Sequence, residues 1–183
     1  MKISIHQPNF MPWYPFFEKI EQADRFIILS HCQFEKNNFQ NRFFFEDFWQ
    51  TLSVKKGMDD IVYKQYNNVQ YDWQKIKKRL FKYRYILDKF DDCIVDSLFV
   101  TNTNIILKIC KILDIKTDIV MDYPSSFDKT QRLLELCKFY GASTYLSGPS
   151  GKKYLDEKIF TENNINIEYF HSENKCAILG GST

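Results

Sequence analysis

The chain has 183 residues, enough for one domain with a sizeable core. Its 44% hydrophobic and 26% charged residues describe an ordinary soluble globular protein and exclude a disordered chain. A net charge of +2 supplies no global field that would demand nucleic acid or an acidic membrane as partner.

Lys2 to Ile5 predicts a first strand and Tyr14 to Ala23 a first helix, with Pro15 at ease in the opening turn. Arg25 to Leu29 predicts a second, buried strand. Strand, helix and strand within thirty residues make a right-handed crossover and hence a parallel sheet. Phe39 to Phe45 and Gln50 to Lys55 read as extended, and Ile61 to Tyr63 as a further short strand. This stretch, about 39–70, is expected as a less regular insertion. Asp72 is expected to cap a helix to about Asp88, with Trp73, Ile76, Leu80, Tyr83 and Leu87 facing the core. Helices near Asp92–Val100 and Asn104–Leu113 follow, the second capped near Asn102 or Thr103. Thr117–Met121 is expected as a strand, Asp128–Tyr140 as a helix ended by Gly141, and Ser143–Leu146 as a strand. Lys152–Thr161 then reads as helix and Ile165–Tyr169 as the last strand. The alternation predicts one layered α/β domain over residues 1–183.

Five cysteines, odd in number and widely spaced without a Cys-x-x-Cys pair, read as free thiols in a reducing cytoplasm. Three histidines without short ligand spacing give no metal site. Aliphatic runs such as Ile27-Ile28-Leu29 are too short to cross a bilayer, and no signal-peptide core follows Met1. A cytoplasmic location without membrane insertion is expected.

Candidate chemistry gathers where predicted strands end. His6 closes the first strand, with Gln7 and Asn9 in the turn before a helix, the position where open α/β sheets bind ligands. An imidazole there suits proton transfer; the ordinary alternative is a histidine satisfied by a backbone carbonyl. Gln7 and Asn9 can bond a sugar or base, or merely shape the turn. Arg42, with Gln40 and Asn41 among aromatics, offers a donor fork for phosphate or carboxylate, against stacking or a buried ion pair. Lys36 is a similar cation. Ser147, Gly148, Ser150, Gly151 and Lys152 lie between strand and helix, where small residues and a helix start favour an anion; a plain tight turn is the alternative. Lys129 and Arg132 add charge at another helix start. The basic stretch Lys75 to Arg84 fits a solvated helix face better than nucleic-acid binding. No nucleophile elbow, Walker motif or dinucleotide fingerprint occurs.

Three blocks resemble the WbqC-like family. They are His6-Gln7-Pro8-Asn9-x-x-Pro12-Trp13; Gln33-Phe34-x-Lys36 with Phe39-Gln40-Asn41-Arg42; and Lys129-Thr130-x-Arg132-Leu133-Leu134 through Tyr145-Leu146-Ser147-Gly148-Pro149-Ser150-Gly151 to Tyr154-Leu155-Asp156. The chain departs from the family pattern at Pro15, at Ser30 and His31 (where an acidic pair is usual), at Phe43 and Phe44, and at its ending after Phe170. The opening is also similar in layout to cytidylyltransferase-like enzymes, although Trp13-Tyr14-Pro15-Phe16 replaces their His-x-Gly-His. Together these imply an α/β, three-layer Rossmann-like (nucleotidyltransferase-like) parallel sheet, helices on both faces, with a small extended insertion after the second strand.

The family's association with O-antigen and other surface-polysaccharide gene clusters implies an enzyme acting on a nucleotide-linked amino sugar, by acyl or aminoacyl transfer or ligation. The donor is open among an ATP-derived adenylate, a coenzyme A ester and aminoacyl-tRNA. In that reading His6 deprotonates or orients the amine, Arg42 and Lys152 hold phosphates, and Trp13 and His31 join the substrate contacts. The alternative is a non-catalytic nucleotide- or sugar-binding protein of the same fold.

Overall fold

The central strand β1 (Lys2–His6) is built from alternating residues whose two faces are both buried. In this computed structural model, which describes residues 1–173, it pairs in parallel with β2 (Arg25–Ile28) and with β6 (Thr144–Ser147). The outer neighbours are β5 (Asp118–Met121) beside β2 and β7 (Asn166–Tyr169) beside β6, giving the order β5-β2-β1-β6-β7. The chain builds outward on one side of β1, then returns to build on the other. The strand order therefore reverses between β1 and β6, and the crevice at their carboxyl ends is the topological switch point.

Helices cover both faces. Phe26 and Ile28 of β2 pack with Phe16, Phe17 and Ile20 of α1 (Tyr14–Glu21) and with Ile105, Ile106 and Ile109 of α4 (Leu98–Ile112). Ile3, Ile5 and Ile27 turn the other way, onto Leu133, Leu136 and Cys137 of α5 (Lys129–Phe139) and Phe160 of α6 (Glu157–Glu162). Phe26, Ile27 and Ile28 are fully buried. Each such side chain contributes roughly 1.5–3 kcal/mol relative to exposure. The result is a three-layer, Rossmann-like α/β fold.

After β2 the chain makes a separate antiparallel hairpin, β3 (Arg42–Phe45) with β4 (Phe48–Thr51). Its two-residue turn puts Glu46 at φ 48° and Asp47 at φ 63°, the paired left-handed conformation that matches strand twist. Phe43 and Phe45 point into the core, against Phe10 and Tyr83.

Several elements differ from the sequence expectation. Ile61–Tyr63 is a 3-10 turn rather than a strand. The expected long helix is broken: α2 (Val69–Arg79) starts three residues before Asp72 and stops at Leu80, then the chain folds back through a 3-10 turn, α3 (Arg84–Leu87) and another 3-10 turn, Asp88–Cys93. The fold-back is pinned by the buried ammonium of Lys77, which donates to Asp88 and Asp91 at 2.8–2.9 Å, while Trp73 Nε1 donates to Asp91 at 2.7 Å. Of the expected core stripe, Trp73, Ile76, Leu80 and Leu87 are nevertheless buried, and Tyr83, moved onto the fold-back, is half-buried against them. Asp72 does not cap the helix; its carboxylate accepts from the Ser53 N–H and hydroxyl. The two helices expected over Asp92–Leu113 are one, α4, capped by Ser97. Lys152–Thr161 is a 3-10 turn, Pro149–Lys153, followed by the six-residue α6 capped by Asp156.

Candidate functional site

His6 ends β1 at the switch point. Its Nδ1 lies 2.8 Å from the Gln7 carbonyl, an acceptor only, so Nδ1 carries the proton and Nε2 the free lone pair. Nε2 has no hydrogen-bond partner among the described residues. The ring stands edge-on to Phe16 at 5.0 Å. Burial first, and the nearby Lys19 ammonium second, pull the imidazole pKa down to about 3 against the opposing Gln7 bond. The ring is thus neutral at pH 7. Lys19, on α1, is buried, its ammonium 3.4 Å from the Ile5 carbonyl and 5.9 Å from the Phe26 ring centre, and burial pulls its pKa down to about 7.

The loop after β1 is sewn to the segment before the hairpin. The Gln40 amide donates to Gln7 Oε1 at 2.7 Å, and the Phe10 N–H donates to the Phe39 carbonyl at 2.9 Å. Asn102 of α4, fully buried, donates from its one amide to both the Pro8 and Gln40 carbonyls and accepts from the Tyr66 hydroxyl. Met11 within this loop sits at φ 46°, a left-handed conformation unusual for a residue with a side chain. Gln7 Nε2 also donates to Cys32 Sγ at 3.4 Å, tying the loop to the end of β2. His6, Gln7, Gln40, Asn41 and Arg42 are therefore held on one framework. Asn41 Nδ2 bonds the Leu52 carbonyl, while its buried Oδ1 has no partner among the described residues. The Arg42 guanidinium lies 3.9 Å from the centre of the Trp49 ring and donates to the Asn37 carbonyl; its buried Nε has no partner among the described residues. Asn9 is partly exposed, Lys36 is exposed, and Trp13, half exposed, opens α1.

A second cluster forms where β2 and β5 end. Asp122 is buried and accepts from the Ser30 N–H at 2.8 Å and hydroxyl at 2.7 Å, from the His31 N–H at 3.1 Å, and from Arg132 Nη2 at 3.0 Å. His31 Nδ1 is 3.0 Å from the same carboxylate. Burial alone would raise this carboxyl, but the bonds from Ser30, His31 and Arg132 outweigh it and hold it below its ordinary value. Arg132 is buried against Asp122, Glu135 and the Tyr123 carbonyl, with the guanidinium over the Tyr123 ring.

The third group lies across the crevice. The β1–β6 register pairs Ser4 with Leu146, and Ser147, next in chain, ends β6 with its hydroxyl donating to the Gly148 carbonyl. A Cβ on Gly151 would stand 2.1 Å from Ser147 Oγ, so any larger residue there must displace that hydroxyl. Ser150 and Lys152 are exposed; the Lys152 ammonium lies 5.0 Å from the Tyr169 ring centre. The helix that follows starts at Glu157 behind the Asp156 carboxylate, so no long helix aims its amino end at this turn. Lys129 is exposed at φ 45°, at the entrance to α5.

Asp122 and Asn102 are the site residues that sequence reasoning missed. Asp122 had a signal, since it follows the expected strand Thr117–Met121 at its carboxyl end, the same position that singles out His6. Asn102 had a weaker one: Thr101-Asn102-Thr103 is a polar run inside an apolar helix. A shallow depression of about 410 Å³, lined by Leu107, Lys111 and Asp118, lies at the amino end of β5, the opposite edge of the sheet. Among the described residues no group of three or more His, Cys, Asp and Glu could hold a metal ion, and no helix is long and apolar enough to cross a membrane.

The fold defines a Rossmann-like α/β protein, with a candidate site among the polar groups at the carboxyl ends of its parallel strands. The chain belongs to the WbqC-like protein family, whose model matches residues 7–176. It is 30% identical over 188 residues to uncharacterized protein Rv1507c of Mycobacterium tuberculosis, covering 92% of this chain and 81% of that protein. No solved structure matches the chain.

Proposed function

We propose that the chain is a cytoplasmic enzyme of surface-polysaccharide biosynthesis that transfers or ligates an acyl or aminoacyl group onto a nucleotide-linked amino sugar. The observation that carries this reading is the amide framework Gln7–Gln40–Asn41, locked by Asn102 beside a neutral His6 at the switch point. Gln40 is fully buried with both amide atoms bonded inside the protein, so it positions Gln7, and the partly exposed Gln7 and Asn9 offer the amides suited to sugar hydroxyls and base edges. His6 Nε2 accepts a hydrogen bond from the amine and orients it. Arg42 and Lys152, on either side, supply positive charge for the diphosphate, and Ser147 to Gly151 let its backbone approach. Asn9, Trp13, His31, Lys36, Lys129 and Ser150 complete the substrate contacts, with the buried Arg132 behind them. The acyl donor is an adenylate, a coenzyme A ester or an aminoacyl-tRNA.

One observation favours a second reading, a non-catalytic nucleotide- or sugar-binding protein: an imidazole pulled down to about 3 is a weak base. The test incubates the protein with UDP-, dTDP- and GDP-linked amino sugars and each donor class, reading acylated product by mass. Product that disappears in His6→Ala supports the enzyme; tight binding without product selects the second reading.

A further inference from the structure

We infer that His31, oriented by Asp122, is the group that takes the proton from the substrate amine; the inference rests on the transferase reading above. The two residues come from different strands, His31 from the turn after β2 and Asp122 from the end of β5, and only the parallel pairing of β2 with β5 brings them together. Asp122 is completely buried and ionised, since it accepts from two backbone N–H groups, a hydroxyl and a guanidinium. A carboxylate can only accept, so the ring nitrogen 3.0 Å away must donate. In the neutral ring this puts the proton on Nδ1 and leaves the lone pair on Nε2. Among the described residues Nε2 has no partner, and it is not one of the buried polar atoms cut off from solvent.

The charge count points the same way. The cluster holds two carboxylates, Asp122 and Glu135, against one guanidinium, Arg132. A proton taken up at His31 Nε2 during the step faces the buried Asp122 carboxylate across the ring, as in a base oriented by a carboxylate. His6 lacks such a partner: its Nδ1 faces a neutral carbonyl and a lysine lies nearby. The two histidines thus divide the work. His6 orients the amine, and His31, next in chain to the Cys32 that Gln7 contacts, removes its proton. As the amine nitrogen bonds to the acyl carbon, its N–H proton passes to His31 Nε2. The C–O or C–S bond of the activated donor breaks, and the leaving oxygen or sulfur keeps the electron pair and receives that proton. Asp122 touches no substrate and is a positioning residue.

Long-range proton–nitrogen NMR of the 15N-labelled full chain, combined with diethylpyrocarbonate labelling mapped by mass spectrometry, tests the dyad without any substrate. The expected result is an Nδ1–H ring at His31 that labels at Nε2 in the folded protein. Asp122→Asn should give mixed tautomers and several-fold slower labelling, with His6 unchanged. An Nε2–H ring, a ring protonated on both nitrogens, or a His31 that resists labelling would overturn the inference. Should Asp122→Asn not fold, the wild-type tautomer decides alone. Where product forms in the transfer assay, His31→Gln should lower kcat 100-fold or more at unchanged KM; full turnover would also overturn it. A dyad found without any transfer product would count against the transferase reading and not against the geometry.

Discussion

Gln40 donates its side-chain amide to Gln7 Oε1 across 2.7 Å, joining two polar segments thirty-three residues apart in the chain. The same Gln40 accepts the Glu35 N–H through its Oε1, so its amide is used on both sides. Replacing it leaves a partly buried acceptor and donor unpaired, at a cost of about 1–2 kcal/mol. Gln40→Ala should therefore lower the melting temperature by roughly 2–8 °C in a protein of this size, measured by circular dichroism.

Asn102 carries a heavier load. One buried side chain satisfies the Pro8 and Gln40 carbonyls and the Tyr66 hydroxyl. Asn102→Ala should destabilise by about 2–4 kcal/mol in urea unfolding. It should also weaken ligand binding more than its distance from the crevice suggests, because the loop after β1 loses its anchor.

Gly151 offers a cleaner test of the crevice wall. Gly151→Ala drives a methyl group onto Ser147 Oγ and should cost about 1–3 kcal/mol. Ser147→Ala in the same chain removes that oxygen and should recover much of the loss. A double-mutant cycle by chemical denaturation reads the coupling directly.

Lys19 predicts a pH dependence. Its pKa falls from 10.5 unfolded to about 7 folded, so between those values the unfolded chain binds more protons. Stability should rise with pH across that window, by up to about 1.4 kcal/mol per pH unit. Lys19→Met should be more stable than the wild type at pH 7 and should flatten the rise between pH 7 and 10. His6 acts below it: with its folded pKa near 3, stability should fall as pH drops from 6.5 toward 3.

The parallel core was legible because β1, α1 and β2 carry their own local signals: apolar residues on both faces of the strands, Pro15 in the first turn, and a short crossover. The region from Val69 to Ile112 was not. The core stripe Trp73, Ile76, Leu80 and Leu87 was read correctly as buried, but the break at Leu80 depends on Lys77 meeting Asp88 and Asp91, a tertiary contact that no helical period reveals. The site divides similarly. His6, Gln7, Gln40, Asn41 and Arg42 stood out as polar groups near strand ends, and the structure joins them. Asn102, which holds Pro8 and Gln40, and Asp122, which holds Ser30, His31 and Arg132, come from other elements, and their weak sequence signals acquire a meaning only through the topology.

Isothermal titration of the full chain with UDP-, dTDP- and GDP-linked amino sugars, repeated on Gln7→Ala and Arg42→Ala, tests the central claim most directly. The account predicts saturable binding of at least one of them, weakened ten-fold or more by each substitution while both variants stay folded. Binding unaffected by either change, or heat from none of the sugar nucleotides, would contradict a sugar-nucleotide site at the carboxyl ends of β1 and β6.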